Sequence, residues 1–211
     1  MTMKNIAVSL ITLLAAVFSV NAAEISEQAK AVLVEIEKAN DSVNTLSSPL
    51  TEIKTMPNGR QFVSTGDFYF SSPDLLAIRY TSPAGDYLVV NAEEIAQKKK
   101  NGKSFKFSLE KNETMKTLSS TLLWCVSGKL LKLAEANKAD VNVSESGDVL
   151  QVVLTAEVKT ERGFKKIELS YDKTTMRLQS MAMTDKNNVV TKYTMDKPQY
   201  GVAIASSVFQ I

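Results

Sequence analysis

The sequence predicts an α+β fold in which an antiparallel sheet or barrel is covered by two helical regions. Three observations predict it. Gly66 to Val90 reads GDFYFSSPDLLAIRYTSPAGDYLVV and alternates large apolar with polar side chains between a Ser-Ser-Pro break and a Pro-Ala-Gly-Asp turn. Period-2 alternation bounded by Pro and Gly is the signature of strands. Ile25 to Leu46 and Asn112 to Ala136 instead repeat apolar residues every three or four positions, the helical period. From Val141 onward, short alternating runs recur between turn residues, as in antiparallel sheets and barrels.

Composition sets the outer limits. The chain has 211 residues, 44% of them hydrophobic and 23% charged, with a formal net charge of +2. This is ordinary globular composition, with length for one domain. The charge balance gives no basis for a nucleic-acid partner, which calls for a basic face. Histidine is absent, which removes imidazole metal ligands and every base or triad built on imidazole. The single cysteine, Cys125, cannot form an internal disulfide, so the core has to hold the fold unaided.

Residues 1–22 read as a targeting segment. Lys4 supplies a positive start, Ile6 to Val20 an apolar run, and Val20-Asn21-Ala22 a small-residue cleavage site. The cut is expected after Ala22, with Ala23 the alternative. The apolar run is short of the roughly 20 residues of a spanning helix. Cleavage would leave residues 23–211 as a single domain without a cysteine at its start to carry a lipid anchor.

In chain order, the first helix spans Ile25 to Leu46, with Ser26 as N-cap and Ala29, Val32, Leu33, Ile36, Ala39 and Val43 on one stripe. Ser47-Ser48-Pro49 is expected to end it. Leu50 to Met56 and Arg60 to Gly66 form a hairpin around Pro57-Asn58-Gly59. In the next strands Phe68 and Phe70 share a face, as do Leu76, Ile78 and Tyr80; Tyr87 to Val90 follows the turn. Glu93 to Gln97 and Ser104 to Leu109 flank Lys98-Lys99-Lys100-Asn101-Gly102, a solvated loop tip or a contact for an anionic headgroup or partner. Asn112 to Ala136 carries Met115, Leu118, Leu122, Val126, Leu130 and Leu133, and Gly128 marks a break within it. The remaining strands are Val149 to Val158, the run through Ile167, Leu169 and Tyr171, Met176 to Thr184, Val189 to Met195 and Ala203 to Ile211.

Enzymatic patterns are missing. The chain has no GxSxG elbow, P-loop, GxGxxG or CxxC. Its one adjacent carboxylate pair, Glu93-Glu94, would point to opposite faces of a strand. Cys125 follows Leu122 on the apolar stripe and reads as a buried thiol that packs as a small hydrophobe. No enzyme activity, metal or cofactor is expected.

The order of elements, with Gly66-Asp67-Phe68-Tyr69-Phe70, Ser72-Pro73-Asp74-Leu75, Tyr80-Thr81-Ser82-Pro83, the strand Tyr87 to Asn91 and the helix containing Gly128, resembles the periplasmic lipoprotein carrier family, the LolA-like proteins of Gram-negative bacteria. The resemblance covers most of the chain beyond the targeting segment. It implies a curved, incompletely closed antiparallel half-barrel with a helical lid, and between them a hydrophobic cavity for the acyl chains of a lipoprotein. It also implies transfer of that cargo from an inner-membrane transporter to an outer-membrane acceptor by a monomeric periplasmic carrier. The familiar carriers have an arginine directly before the proline of the x-Pro-x-Leu run, tying sheet to lid; here the position is Ser72. A familiar aromatic position is Leu76, and Arg79 falls later in the strand.

On this reading the acyl chains would contact Phe68, Phe70, Leu76, Ile78, Tyr80, Leu88, Val90, Met115, Leu118, Leu122, Val126, Leu169 and Met176. The chain holds eight methionines, flexible side chains suited to a variable ligand. Periodicity alone describes a filled core as well as a cavity. Leu76→Glu is expected to weaken acyl binding while folding survives if this wall is a cavity. The alternative functions are a carrier of another amphiphilic lipid, and an envelope sensor or regulatory module that detects lipid or lipoprotein; a second domain or a partner-binding strand edge would favour the sensor.

Overall fold

A computed structural model describes residues 25–99, 102–157 and 163–211. The targeting segment, the middle of the lysine-rich tip and the Val158 end of one expected strand lie outside the described residues. The elements run α1 Glu27–Asn40, β1 Thr45–Thr55, β2 Gln61–Ser71, β3 Leu75–Ser82, β4 Tyr87–Val90, β5 Glu94–Lys98, β6 Ser104–Ser108, α2 Glu113–Ser127, α3 Leu130–Asn137, β7 Asp140–Ser146, β8 Val149–Thr155, β9 Phe164–Asp172, β10 Leu178–Asp185, β11 Val190–Met195 and β12 Gln199–Tyr200. A 3₁₀ turn at Ser206–Phe209 follows.

The strands form one antiparallel sheet in the order β6-β5-β4-β3-β2-β1-β11-β10-β9-β8-β7, with β12 added to β1. The order begins at β6 and ends at β7 without closing, so the sheet is an open half-barrel. Its two edges are the strands that flank α2 and α3 in sequence, which places the helices at the gap. The apolar rows of β1 to β10 meet the stripes of α1, α2 and α3 in one core that includes Leu33, Ile36, Phe68, Phe70, Leu122 and Leu169.

α1 is shorter than expected. Ser26 caps it, its Oγ accepting the Ala29 N–H at 3.2 Å, but the helix stops at Asn40 and β1 starts at Thr45. Leu46, Ser48 and Leu50 then alternate inward. Pro49 does not break this strand. It lies between the segment paired with β12 at Leu46 and Ser47 and the segment paired with β11 from Leu50 onward. The missing N–H therefore costs no ladder bond, and the Pro49 carbonyl accepts the Asp196 N–H at 3.0 Å.

The helical break falls at Gly128, the C-cap of α2, with φ +73°. A side chain there would also meet Ile36 and Asn40 of α1 at 3.2–3.3 Å, so the glycine serves both the turn and the close approach of two helices. The C-terminal segment departs from the expected strand. It crosses the outer face of the sheet, where Ile204, Val208 and Phe209 cover Ala77 and Val89 with Tyr69, Leu75 and Tyr87. Arg79 points to that face, donating to the Val208 carbonyl at 2.7 and 3.0 Å and to the Gln210 carbonyl. It anchors the C-terminus and lies on the opposite side of the sheet from the helices.

Candidate functional site

Between the helices and the β4–β6 and β10–β11 parts of the sheet lies a cavity of about 350 Å³. Met115, Leu118 and Leu122, one stripe of α2, form one wall. Leu88, Ile95, Phe105 and Phe107 face them from β4, β5 and β6, and Phe164, Met183, Thr191 and Tyr193 close the other side, with Gln97. The wall is built because these strands place alternate residues inward: Leu88 pairs with Gln97 and Gln97 with Phe105, a single row. The volume falls within the roughly 300–1,000 Å³ of small-ligand pockets, and the lining is mostly apolar with a few polar groups. Phe105 is 54% exposed, so the cavity reaches solvent beside β6.

Of the residues proposed from sequence, Leu88, Met115, Leu118 and Leu122 line this space. Phe68, Phe70, Leu76, Ile78, Val90, Val126 and Leu169 are buried in the closely packed part of the interior. Tyr80 lies in the same core. Met176 sits in the turn before β10 with φ +54°, half-buried against the core. Leu76 is 1% exposed and fully enclosed. Leu76→Glu would place a carboxylate in packed core, and folding is what it would disturb.

Sequence reasoning missed the polar part of the interior. Glu52, on the inward row of β1 and only 5% exposed, accepts a hydrogen bond from the Tyr80 hydroxyl of β3 and stands directly opposite Tyr193 of β11. Tyr80 reaches across β2 because the residue between is Gly66. A Cβ at Gly66 would lie 2.3 Å from the Arg79 carbonyl oxygen. Burial, then Tyr193 and Glu52, push the Tyr80 phenol far above its ordinary range; burial and Glu52 do the same to Tyr193. The one legible signal was parity, since Glu52 falls on the row of Leu46 and Leu50.

Also missed were the contacts that hold helices to sheet. The Asn40 amide donates to the Met176 carbonyl at 2.9 Å and its oxygen accepts from Arg177 at 3.1 Å. Arg177 in turn lies over the Tyr200 ring at 4.8 Å. Tyr171 of β9 donates to the Cys125 carbonyl of α2 at 3.2 Å. These bonds join α1 and α2 to the sheet in a protein with Ser72, an exposed turn residue, where an arginine was expected. Cys125 itself is fully buried, and burial pushes its thiol well above the usual range, which leaves it unreactive. Among the described residues no cluster of His, Cys, Asp and Glu could hold a metal ion, and no helix is long and apolar enough to cross a membrane.

Fold and interior together define an open antiparallel half-barrel whose helices cover an apolar cavity. The chain belongs to the family of the outer membrane lipoprotein carrier protein LolA, whose family model matches residues 41–211. Solved structures share the fold. A DUF1329 family protein from Desulfovibrio piger is 10% identical with a TM-score of 0.50, over 89% of this chain and 98% of that one. A conserved protein from Thermus thermophilus is 10% identical with a TM-score of 0.51, over 88% and 94%. At these identities the likeness concerns fold alone. No curated protein matches the chain by sequence.

Proposed function

We propose that this protein is a periplasmic carrier that takes up the acyl chains of lipoproteins in the cavity between α2 and the sheet and ferries them from the inner to the outer membrane. The observation that carries the reading is the cavity: about 350 Å³, walled by Leu88, Met115, Leu118, Leu122 and four phenylalanine and methionine side chains of the sheet, in a member of a lipoprotein carrier family. Residues 1–22 direct export and are removed, leaving residues 23–211 as one monomeric domain. An inner-membrane transporter loads it and an outer-membrane acceptor unloads it. It performs no reaction on its cargo.

The physics of carriage is a near balance. Each buried methylene is worth about 0.8 kcal/mol, so a long acyl chain gains on the order of 10 kcal/mol on leaving water. A bilayer offers nearly the same gain, so transfer is decided by small differences. The four lining residues named above make first contact with the chain. The packed residues Phe68, Phe70, Leu76, Ile78, Tyr80, Val90, Val126, Leu169 and Met176 become accessible to cargo only when the helices lift, and the bonds from Asn40 and Tyr171 oppose that movement. The test is native mass spectrometry of the protein purified from a lipoprotein-producing host. The expected species is a one-to-one complex with an acylated protein that is lost on incubation with acceptor membranes. Lipid-free protein that also fails to take up added acylated lipoprotein would sink the reading.

A further inference from the structure

The cavity mouth carries exposed apolar side chains, of which Phe62 and Val63 lie outside the cavity lining. Phe62, Val63 and Phe105 are 45%, 59% and 54% exposed. Pairing places Phe62 opposite Lys54 and Lys54 opposite Thr191, which lines the cavity, while Phe105 lines it from β6. Two exposed aromatic rings therefore stand at the same end of the sheet, Phe105 in the cavity lining and Phe62 two strands from the lining residue Thr191. Beyond Thr65, which pairs with Ser82, β2 has no β3 partner, so the β1–β2 hairpin projects past its neighbour with Phe62 and Val63 on its two faces.

Basic side chains accompany these rings. Arg60 lies over the Phe62 ring at 4.6 Å, Lys54 is its cross-strand neighbour, and Lys98, Lys99 and Lys103 flank Phe105 at the β5–β6 turn. Asp86, Glu157 and Asp185 share this end, but the Asp185 carboxylate is engaged by the Asn187 and Val189 N–H groups of its own turn. The turns at the opposite end of the sheet are mixed in sign, with Asp41, Asp74, Glu93, Glu110, Asp148 and Asp196 beside Lys111, Lys138, Lys173 and Lys197. The excess of basic charge is thus concentrated with the exposed aromatics at the end where the cavity opens.

We propose that this end docks on the surface of an anionic phospholipid bilayer, with Phe62, Val63 and Phe105 entering the interface and Lys54, Arg60, Lys98, Lys99 and Lys103 facing phosphate headgroups. Charge complementarity selects this occupant. Exposed aromatics beside lysine and arginine are what an interfacial anchor requires. Docking in this pose brings the cavity mouth to the membrane, so a chain would pass between bilayer and protein without crossing water.

The experiment is vesicle co-flotation of the protein expressed from its full chain, with no acylated cargo present. Vesicles containing phosphatidylglycerol are compared with pure phosphatidylcholine, at ionic strengths of about 0.05 and 0.5 M, where screening differs strongly. Binding at least tenfold tighter to the anionic vesicles, lost at high salt, is expected. Phe62→Ser with Val63→Ser, and separately Lys98→Glu with Lys99→Glu and Lys103→Glu, should each weaken it at least tenfold. All five side chains are on the surface or at a strand end, and circular dichroism would verify that both variants fold. Each variant shares the N-terminus of the wild type, so that segment cannot produce a difference between them. Absent binding, binding indifferent to phosphatidylglycerol, or binding unchanged in both variants would overturn the proposal. The cavity reading would survive any of these, because no cargo enters the assay.

Discussion

At the scale of single residues the interior keeps several ionisable groups neutral. Burial raises the phenols of Tyr80, Tyr171 and Tyr193 above their ordinary value of 10.0, and the Cys125 thiol above 9.0. A group whose folded pKa is raised contributes stability that is fully present below its unfolded pKa and is lost as pH rises beyond it. The urea midpoint should therefore stay level from about pH 7 to about pH 9 and fall between about pH 9 and pH 11. A midpoint level to pH 11 would contradict the buried, neutral state of these groups. The Glu52–Tyr80–Tyr193 cluster was hidden from a linear reading because its members lie on β1, β3 and β11, joined only by register.

At the scale of elements, Gly128 is the most exacting position. It ends α2 in a left-handed conformation and leaves room for Ile36 and Asn40 of α1. Gly128→Ala adds the strain of a side chain at positive φ, about 1–2 kcal/mol, and a contact tighter than the two helices accommodate. Chemical denaturation should show a loss of at least that amount; an unchanged midpoint would mean that the α1–α2 junction adapts freely.

The same scale shows what a sequence can disclose. The break at Gly128 and the inward rows of β2, β3, β8 and β9 were legible because glycine and period-2 alternation act locally. The end of α1 was not. Val43 and Leu46 continue the three- and four-residue spacing, yet Leu46 also alternates with Ser48 and Leu50, and pairing with β2 and β12 decides for the strand. Pro49 signals a stop only to a reader who cannot see that β1 changes partners beside it. The C-terminal residues have apolar side chains enough for a strand, but their partner is the outer face of β3 and β4, and no local pattern names a face.

At the scale of the whole molecule, the open order of the sheet explains why there is a cavity. A closed small barrel fills its interior with its own side chains; here the gap between β6 and β7 is covered by helices instead. The interior is closely packed around Phe68, Phe70 and Leu76, whereas space remains between α2 and β4–β6. Periodicity reported which residues face inward and could not report where facing surfaces fail to touch. Four of the thirteen residues proposed from sequence line the space, and they are those on α2 and β4 at its wall. The cationic, aromatic mouth was partly visible in the lysine run at 98–100, but its union with Phe62 depends on strands remote in sequence.

If the space beside α2 receives an acyl chain, Leu118 should meet it. Leu118 lines the cavity yet is only half-buried, so Leu118→Glu can keep its carboxylate near solvent while putting charge against an apolar ligand. Titration of a diacylated lipopeptide into the wild type and Leu118→Glu, followed by calorimetry, is the measurement. The wild type is expected to bind one-to-one and the variant at least tenfold more weakly, with the urea midpoint little changed. Equal affinity in the two proteins, or no binding by the wild type, would contradict acyl binding in this space.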